Sequence, residues 1–355
     1  MSAKVLTSIL AIALLSLVGC GQPSSTDSES SQSDSPQETV ESSDTKTTTK
    51  ITHAKPDFKL STTLPDPVLA TTQSWNVSMV LKTSTELYWQ RVALSGTDMG
   101  NTLLINVQVQ STENSRYVEF AGDQIDLISK VLTEESPNGL ILGPADSQQL
   151  VSVVDQAAAQ DIPVIAIDTP IESDNLLTFV GFDDFAAGKT MGEWVVEQLG
   201  EKGKVLVVQG AQNNANAVKR YEGFLAGLDT GDIEVLDSQS ANWREKEAQE
   251  LTAAWLEEYP EVDAIVAAND QMALGAITAI EAAGREDILV TGFNGSEAGL
   301  DAIQAGKLAA SIDQLPEELT RIAVQLMVNY LEQREPLPKE VLLENTELIT
   351  ADSFL

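Results

Sequence analysis

With 355 residues, 43% of them hydrophobic, the chain can bury more than one core, and two domains are expected. Its 54 acidic against 21 basic side chains give a formal net charge of -33, which repels phosphate backbones and excludes nucleic acid as a partner. A lone cysteine excludes an internal disulfide, and a lone histidine, His53, excludes Ser-His-Asp or Cys-His catalysis and any multi-histidine metal site.

In chain order, Lys4 precedes an apolar run over residues 5–18 that closes on Leu17-Val18-Gly19-Cys20. A charged start, an apolar stretch short for a bilayer and a small-residue exit predict an export signal over residues 1–19 rather than a membrane helix. The closing tetrapeptide resembles a bacterial lipobox, which implies cleavage before Cys20 and lipid on its sulfur. Residues 21 to about 50 are rich in Ser, Thr, Asp, Glu and Gln and have too little apolar surface to order themselves. Residues 20–74 are therefore expected to be a disordered tether, reaching roughly 40 Å as a flexible coil of ~50 residues. The mature protein is expected outside the cytoplasmic membrane, lipid-anchored to it.

After Trp75 short apolar, β-branched runs alternate with longer amphipathic stretches. Strands are predicted over 76–81, 103–109, 139–142 and 163–167, with helices over 86–99, 118–132 and 147–160. Ile125, Ile128 and Leu132 form one helical stripe. A second series begins near Phe182, with helices over 185–199, 217–228, 245–258, 272–283 and 297–305 and strands over 205–209, 234–237, 264–267, 288–292 and 309–312. Strands with little alternation are buried on both faces, as in a parallel sheet covered by helices. The fold class expected is α/β, with two doubly wound parallel-sheet lobes. A helix over 317–333 follows, and periodicity leaves its docking place open.

Five segments carry a resemblance. Ala268-Asn269-Asp270-Gln271-Met272-Ala273-Leu274-Gly275-Ala276, Pro163-Val164-Ile165-Ala166-Ile167-Asp168, Tyr221-Glu222-Gly223-Phe224, Gly292-Phe293-Asn294-Gly295 and Ala310-Ser311-Ile312-Asp313-Gln314-Leu315-Pro316 resemble, in order, segments of the ribose-binding-protein family of periplasmic sugar-binding proteins. The resemblance runs from about Trp75 to the C-terminus. It implies the type I periplasmic-binding-protein fold, with three hinge crossovers near Phe182, Gln314 and Leu343. The N-terminal lobe would hold 75–181 plus 315–343, including the 317–333 helix, and the C-terminal lobe 182–314 plus 344–355. Ligand would lie between the lobes at the carboxyl ends of the strands, with hinge closure around it.

A sugar ring has hydroxyls on its rim and C–H bonds on its faces, so its site needs aromatic walls and fixed polar groups. Matched to the family, Tyr88, Trp89 and Trp243 are candidate walls; their ordinary alternative is core packing. Asp168 is a candidate acceptor of two hydroxyls or, alternatively, a turn cap. Asn269 suits a vicinal diol or, alternatively, a turn. Gln314 lies at a crossover, as ligand contact or link. Asn294 stands where the family has Asp, Thr169 where it has Arg, and Glu86 where it has Asn; Glu86 contacts ligand or faces a helix macrodipole. A second family Arg is matched to Val218, one helical step of about 100 degrees from the neighbouring cations. These departures imply an acceptor-rich pocket that puts ribose in doubt and favours another sugar, a polyol or an amine-bearing ligand.

No metal or other cofactor and no catalytic group is expected. The leading expectation is a monomeric lipoprotein that hands a small sugar or polyol to the permease subunits of an ABC importer. The importer's ATPase must be a separate chain, because no G-x-x-x-x-G-K-[ST] occurs here. The alternative is a sensor subunit presenting its liganded form to a membrane receptor kinase. An enzyme using Glu86 and Asp168 and a two-lobed transcription regulator are weaker alternatives; the latter would need a DNA-reading helix pair where the export signal stands.

Overall fold

The computed structural model describes residues 58–354, apart from 115, 117, 118, 120 and 346. The expected export signal, Cys20, His53 and the expected tether as far as residue 57 lie outside the described residues.

In chain order, β1 (Lys59–Leu60) precedes β2 (Asn76–Leu81), α1 (Leu87–Leu103), β3 (Asn106–Ser111), α2 (Ala121–Lys130), β4 (Gly139–Gly143), α3 (Val151–Ala158), β5 (Val164–Ile167) and β6 (Thr178–Phe182). Then come α4 (Asp184–Gln198), β7 (Lys202–Gln209), α5 (Ala215–Leu228), β8 (Asp232–Ser240), α6 (Glu245–Glu258), β9 (Ala264–Ala267), α7 (Asp270–Ala282), β10 (Leu289–Thr291), α8 (Glu297–Gln304) and β11 (Ala310–Ile312). The chain closes with α9 (Pro316–Gln333), β12 (Glu340–Glu344) and β13 (Leu348–Thr350).

Two sheets organise two lobes. The first runs β1-β12-β6-β5-β4-β2-β3 and the second β13-β11-β10-β9-β7-β8. The chain leaves the first sheet after β6, returns between β11 and β12, and leaves again between β12 and β13. Pairing is parallel except at two edges, β1 on β12 and β13 on β11, so the sheets are mixed rather than wholly parallel. Burial explains the composition: every residue of β4, β5, β6 and β9 is buried, with helices on both faces. Helix α9 docks on the first sheet and on α1 through Leu319, Ile322, Ala323, Leu326 and Met327, a stripe at helical spacing.

Several boundaries differ from the sequence reading for identifiable reasons. Strand β6 was not predicted: no helix separates it from β5, so the βα alternation hides it. Strand β3 starts three residues later than expected, because α1 runs through Leu103 and ends on Leu104 in a left-handed conformation, φ 56°. Helix α2 continues into a π-helical turn, Val131–Glu135, and the expected start at residue 118 falls outside the described residues.

The expected tether is also shorter than residues 20–74. Ser61 N donates to Leu342 O at 2.9 Å beyond the β1–β12 pair. Val68 N donates to Asn329 Oδ1 at 2.9 Å, and Trp75 Nε1 donates to Glu332 Oε1 at 2.7 Å. Thr72 donates to the same carboxylate through N and Oγ1, each at 2.8 Å. Residues 58–75 thus form a strap held by polar side chains of α9, a signal that composition does not carry.

Candidate functional site

Strand order reverses once in each sheet, between β2 and β4 and between β7 and β9. Open α/β sheets bind ligands beyond the carboxyl ends of strands at such points. Here those ends face one cavity between the lobes, of about 300 Å³ including its mouth. The first lobe supplies Lys82, Glu86, Tyr88, Trp89 and Asp168; the second supplies Asn216, Arg220, Trp243, Asn269 and Asn294; Gln314 lies at the crossover after β11. Eight of the nine residues singled out from sequence therefore line one cavity. The ninth, Thr169, does not: it is fully buried behind Asp168, donating Oγ1 to Asp168 Oδ2 at 2.8 Å.

The indoles sit on glycines. A Cβ at Gly143 would lie 2.4 Å from Trp89, and one at Gly210 would lie 2.2 Å from Trp243, so any side chain there would displace the ring. Each indole also carries a cation: Lys82 Nζ is 4.7 Å from the centroid of Trp89, and the Arg220 guanidinium is 5.5 Å from that of Trp243. Tyr88 stands edge-on to Trp89 at 5.2 Å.

Backbone conformation aims several of these groups. Asp168 has φ 65°, Trp243 φ 67° directly after Asn242 at 51°, and Asn294 φ 112°. Non-glycine residues avoid this region, and such strain concentrates at functional sites. Asp270 braces the Asn294 loop: it accepts from Ser296 N at 2.7 Å and from Ser311 Oγ at 2.7 Å. Burial pushes its carboxyl up to about 6, against those hydrogen bonds.

The pocket is not simply acceptor-rich, which corrects the sequence expectation. Lys82 Nζ lies 3.5 Å from Asp168 Oδ2 and 3.3 Å from Thr169 Oγ1, bringing a cation to the place the family's Arg was expected to leave empty. A second cation reaches the cavity two residues beyond Val218. This is Arg220, which donates through Nε and Nη2 to Asp184 Oδ1 at 2.9 and 2.5 Å and through Nη1 to Ala268 O at 2.6 Å. Its guanidinium lies 3.9 Å from the Phe293 centroid. Burial pushes the Asp184 carboxyl up to about 6, and Arg220 pulls the other way.

Sequence reasoning missed Lys82, Asn216 and Arg220. A signal for Arg220 was present: Asn216, Ala217, Arg220, Gly223 and Phe224 make a buried stripe along α5 at helical spacing. Lys82 ends the apolar strand β2, where a lone charge marks a strand terminus facing a crevice.

Asn294 Oδ1, on the second lobe, is buried with no hydrogen-bond partner among the described residues, while the Tyr88 hydroxyl, on the first, lies against the Asp168 carboxylate. A buried polar atom without a partner is costly unless something satisfies it. Burial, and secondarily the Asp168 charge beside it, holds the Tyr88 phenol well above its ordinary pKa and so protonated. Asn269 is committed: its Oδ1 caps α7 at Met272 N, 2.8 Å, and its Nδ2 donates to Trp243 O at 3.3 Å. Glu86 makes no side-chain capping bond to α1 and lines the cavity.

The lobes touch at the cavity's rim. Asn213 Nδ2 donates to Asp146 Oδ2 at 2.9 Å, and Arg244 Nη1 pairs with Glu119 Oε1 at 3.0 Å. Asn216 Nδ2 reaches Asp168 Oδ2 at 3.4 Å across the cavity floor.

A family profile described as "Periplasmic binding protein domain" matches residues 77–335. The chain is 30% identical over 250 residues to the ribose import binding protein of Salmonella typhimurium, covering 70% of this chain and 82% of that protein. Among solved structures, a Caulobacter myo-inositol binding protein bound to myo-inositol is 25% identical with a TM-score of 0.73, covering 81% of this chain and 97% of that one. An ABC transporter periplasmic solute binding protein from Actinobacillus succinogenes with bound D-allose is 26% identical with a TM-score of 0.71, covering 78% and 98%.

Proposed function

This chain belongs to the periplasmic sugar-binding proteins of the ribose-binding kind, and on that premise we propose that it captures a small neutral sugar or polyol between its lobes for an ABC importer. Proteins of this family and fold are solute-binding proteins, not enzymes. The observation that carries the reading is a cavity between the lobes with two indole walls and a set of polar residues, among them Asn294, whose buried Oδ1 has no partner among the described residues. An amide oxygen accepts only, and a sugar or polyol hydroxyl can donate to it. Neutrality is supported by the internal pairing of the cavity's cations, Lys82 with Asp168 and Arg220 with Asp184. An amine-bearing ligand would meet two cations already in place. With Lys82 and Arg220 at the cavity, ribose returns as a candidate.

A thermal-shift screen with D-ribose, D-allose, myo-inositol, xylitol and D-glucosamine tests this. At least one neutral compound is expected to raise the unfolding midpoint, by up to ~4 kcal/mol of stabilisation at a thousand times its Kd. Glucosamine is expected to give none. Millimolar concentrations of every neutral polyol leaving the midpoint unmoved would rule the reading out.

We further propose that the mature protein is held at the outer face of the cytoplasmic membrane by lipid on Cys20, motivated by the Leu17-Val18-Gly19-Cys20 segment. Cys20→Ser is expected to move the protein from the membrane fraction to the soluble fraction. Equal membrane association of both forms would refute the anchor.

A further inference from the structure

A buried amide connects the seam between the lobes to the aromatic wall of the cavity. Asn214 stands at the start of α5, yet its side chain does not cap the helix. It is fully buried, and both ends of its amide are used elsewhere. Nδ2 donates to Ala145 O on the opposite lobe at 2.8 Å. Oδ1 accepts from Trp243 Nε1 at 2.9 Å. The chemistry fixes which end is which, because a carbonyl can only accept and an indole N–H can only donate.

Around this amide residues 213–215 and 145–147 meet in a seam. Ala215 N donates to Ser147 Oγ at 3.2 Å, and Ser147 N donates to Asn213 O at 3.3 Å. Trp243 has two anchors against rotation, the glycine beneath its ring and the bond to Asn214. Its own backbone is in a strained left-handed conformation that packing and hydrogen bonds must hold. Separation of the lobes removes the acceptor from Nδ2. The planar amide can then turn, and Trp243 loses the one fixed partner of its N–H.

We propose that Asn214 is a positioning residue that makes lobe closure and the orientation of the Trp243 wall a single event, resting on the reading of this cavity as a sugar site. A ligand stacked on Trp243 thereby favours the closed seam, and a closed seam presents the ring in its binding orientation.

The test uses the mature protein labelled with 5-fluorotryptophan, with the Trp243 fluorine resonance assigned through Trp243→Phe. Ser147→Ala removes a seam bond without touching Trp243. It is expected to shift or broaden the Trp243 resonance in ligand-free protein, and to leave it where it stands when Asn214→Ala is already present. Asn214→Asp keeps an acceptor for the indole but sets a carboxylate oxygen against Ala145 O. It is expected to expand the protein in small-angle scattering and to weaken binding of the best sugar from the screen about tenfold. The proposal is overturned if Ser147→Ala leaves the resonance unmoved, or moves it equally with and without Asn214. The resonance and scattering readouts need no ligand, so they remain decisive if no sugar in the screen binds. That failure would strike the sugar reading alone.

Discussion

Arg220→Met is expected to destabilise the fold by about 3–5 kcal/mol, the cost of leaving a buried charge without its partner. Arg220 is 1% exposed and holds Asp184, Ala268 O and the Phe293 ring together. Its removal strands the Asp184 carboxylate inside the second lobe. The size of the loss depends on pH with a definite sign. The folded pKa of Asp184 is raised to about 6 from 3.8, so its contribution to stability is fullest below pH 4 and is lost as pH rises through 6. Without Arg220 that pKa climbs further, because the guanidinium opposes the burial effect. The gap between wild type and variant is therefore expected to widen between pH 5 and pH 8. Adding Asp184→Asn is expected to recover much of the loss at neutral pH. Calorimetric melts at the two pH values check this, and an identical gap at both would show that the ion pair is not the source.

Trp243→Ala is expected to weaken sugar binding at least 100-fold, about 2.7 kcal/mol. The ring is a wall of the cavity and the partner of Asn214, so both stacking and the seam are affected. The ring is only 6% exposed and is packed on Gly210, so the ligand-free variant is also expected to lose stability, by about 3–5 kcal/mol. Trp89→Ala provides the comparison from the other lobe. Trp89 is 2% exposed, wedged against Gly143, and its truncation falls in the range of buried aromatic losses, about 3–5 kcal/mol of stability. Isothermal titration and melts of both variants separate the two roles. Unchanged affinity in Trp243→Ala would remove the ring from the site.

The α/β class and most elements were legible because β4, β5 and β9 are short uninterrupted apolar runs and the helices carry clear stripes. The same alternation concealed β6, which follows β5 without a helix. Glu86, Tyr88, Asp168, Asn269 and Asn294 could be brought to one place from sequence because strand ends in such a fold converge. Position along a helix is harder to read: Val218 was matched to a family Arg and the guanidinium taken as lost, although the buried stripe of α5 contains Arg220. Pairing partners were out of reach. Nothing local announces that Lys82 meets Asp168, or that the Asn269 amide is spent on α7 and Trp243. The positive φ angles of Asp168, Trp243 and Asn294 are likewise invisible, since none is glycine.

The strap over residues 58–75 has a mechanical consequence. It is fastened to β12 and to α9, both on the lobe that carries Tyr88 and Asp168. Load placed on residues 58–75 therefore passes into that half, which acts as a stator. The other half is the rotor, coupled to it through the crossovers and the rim contacts.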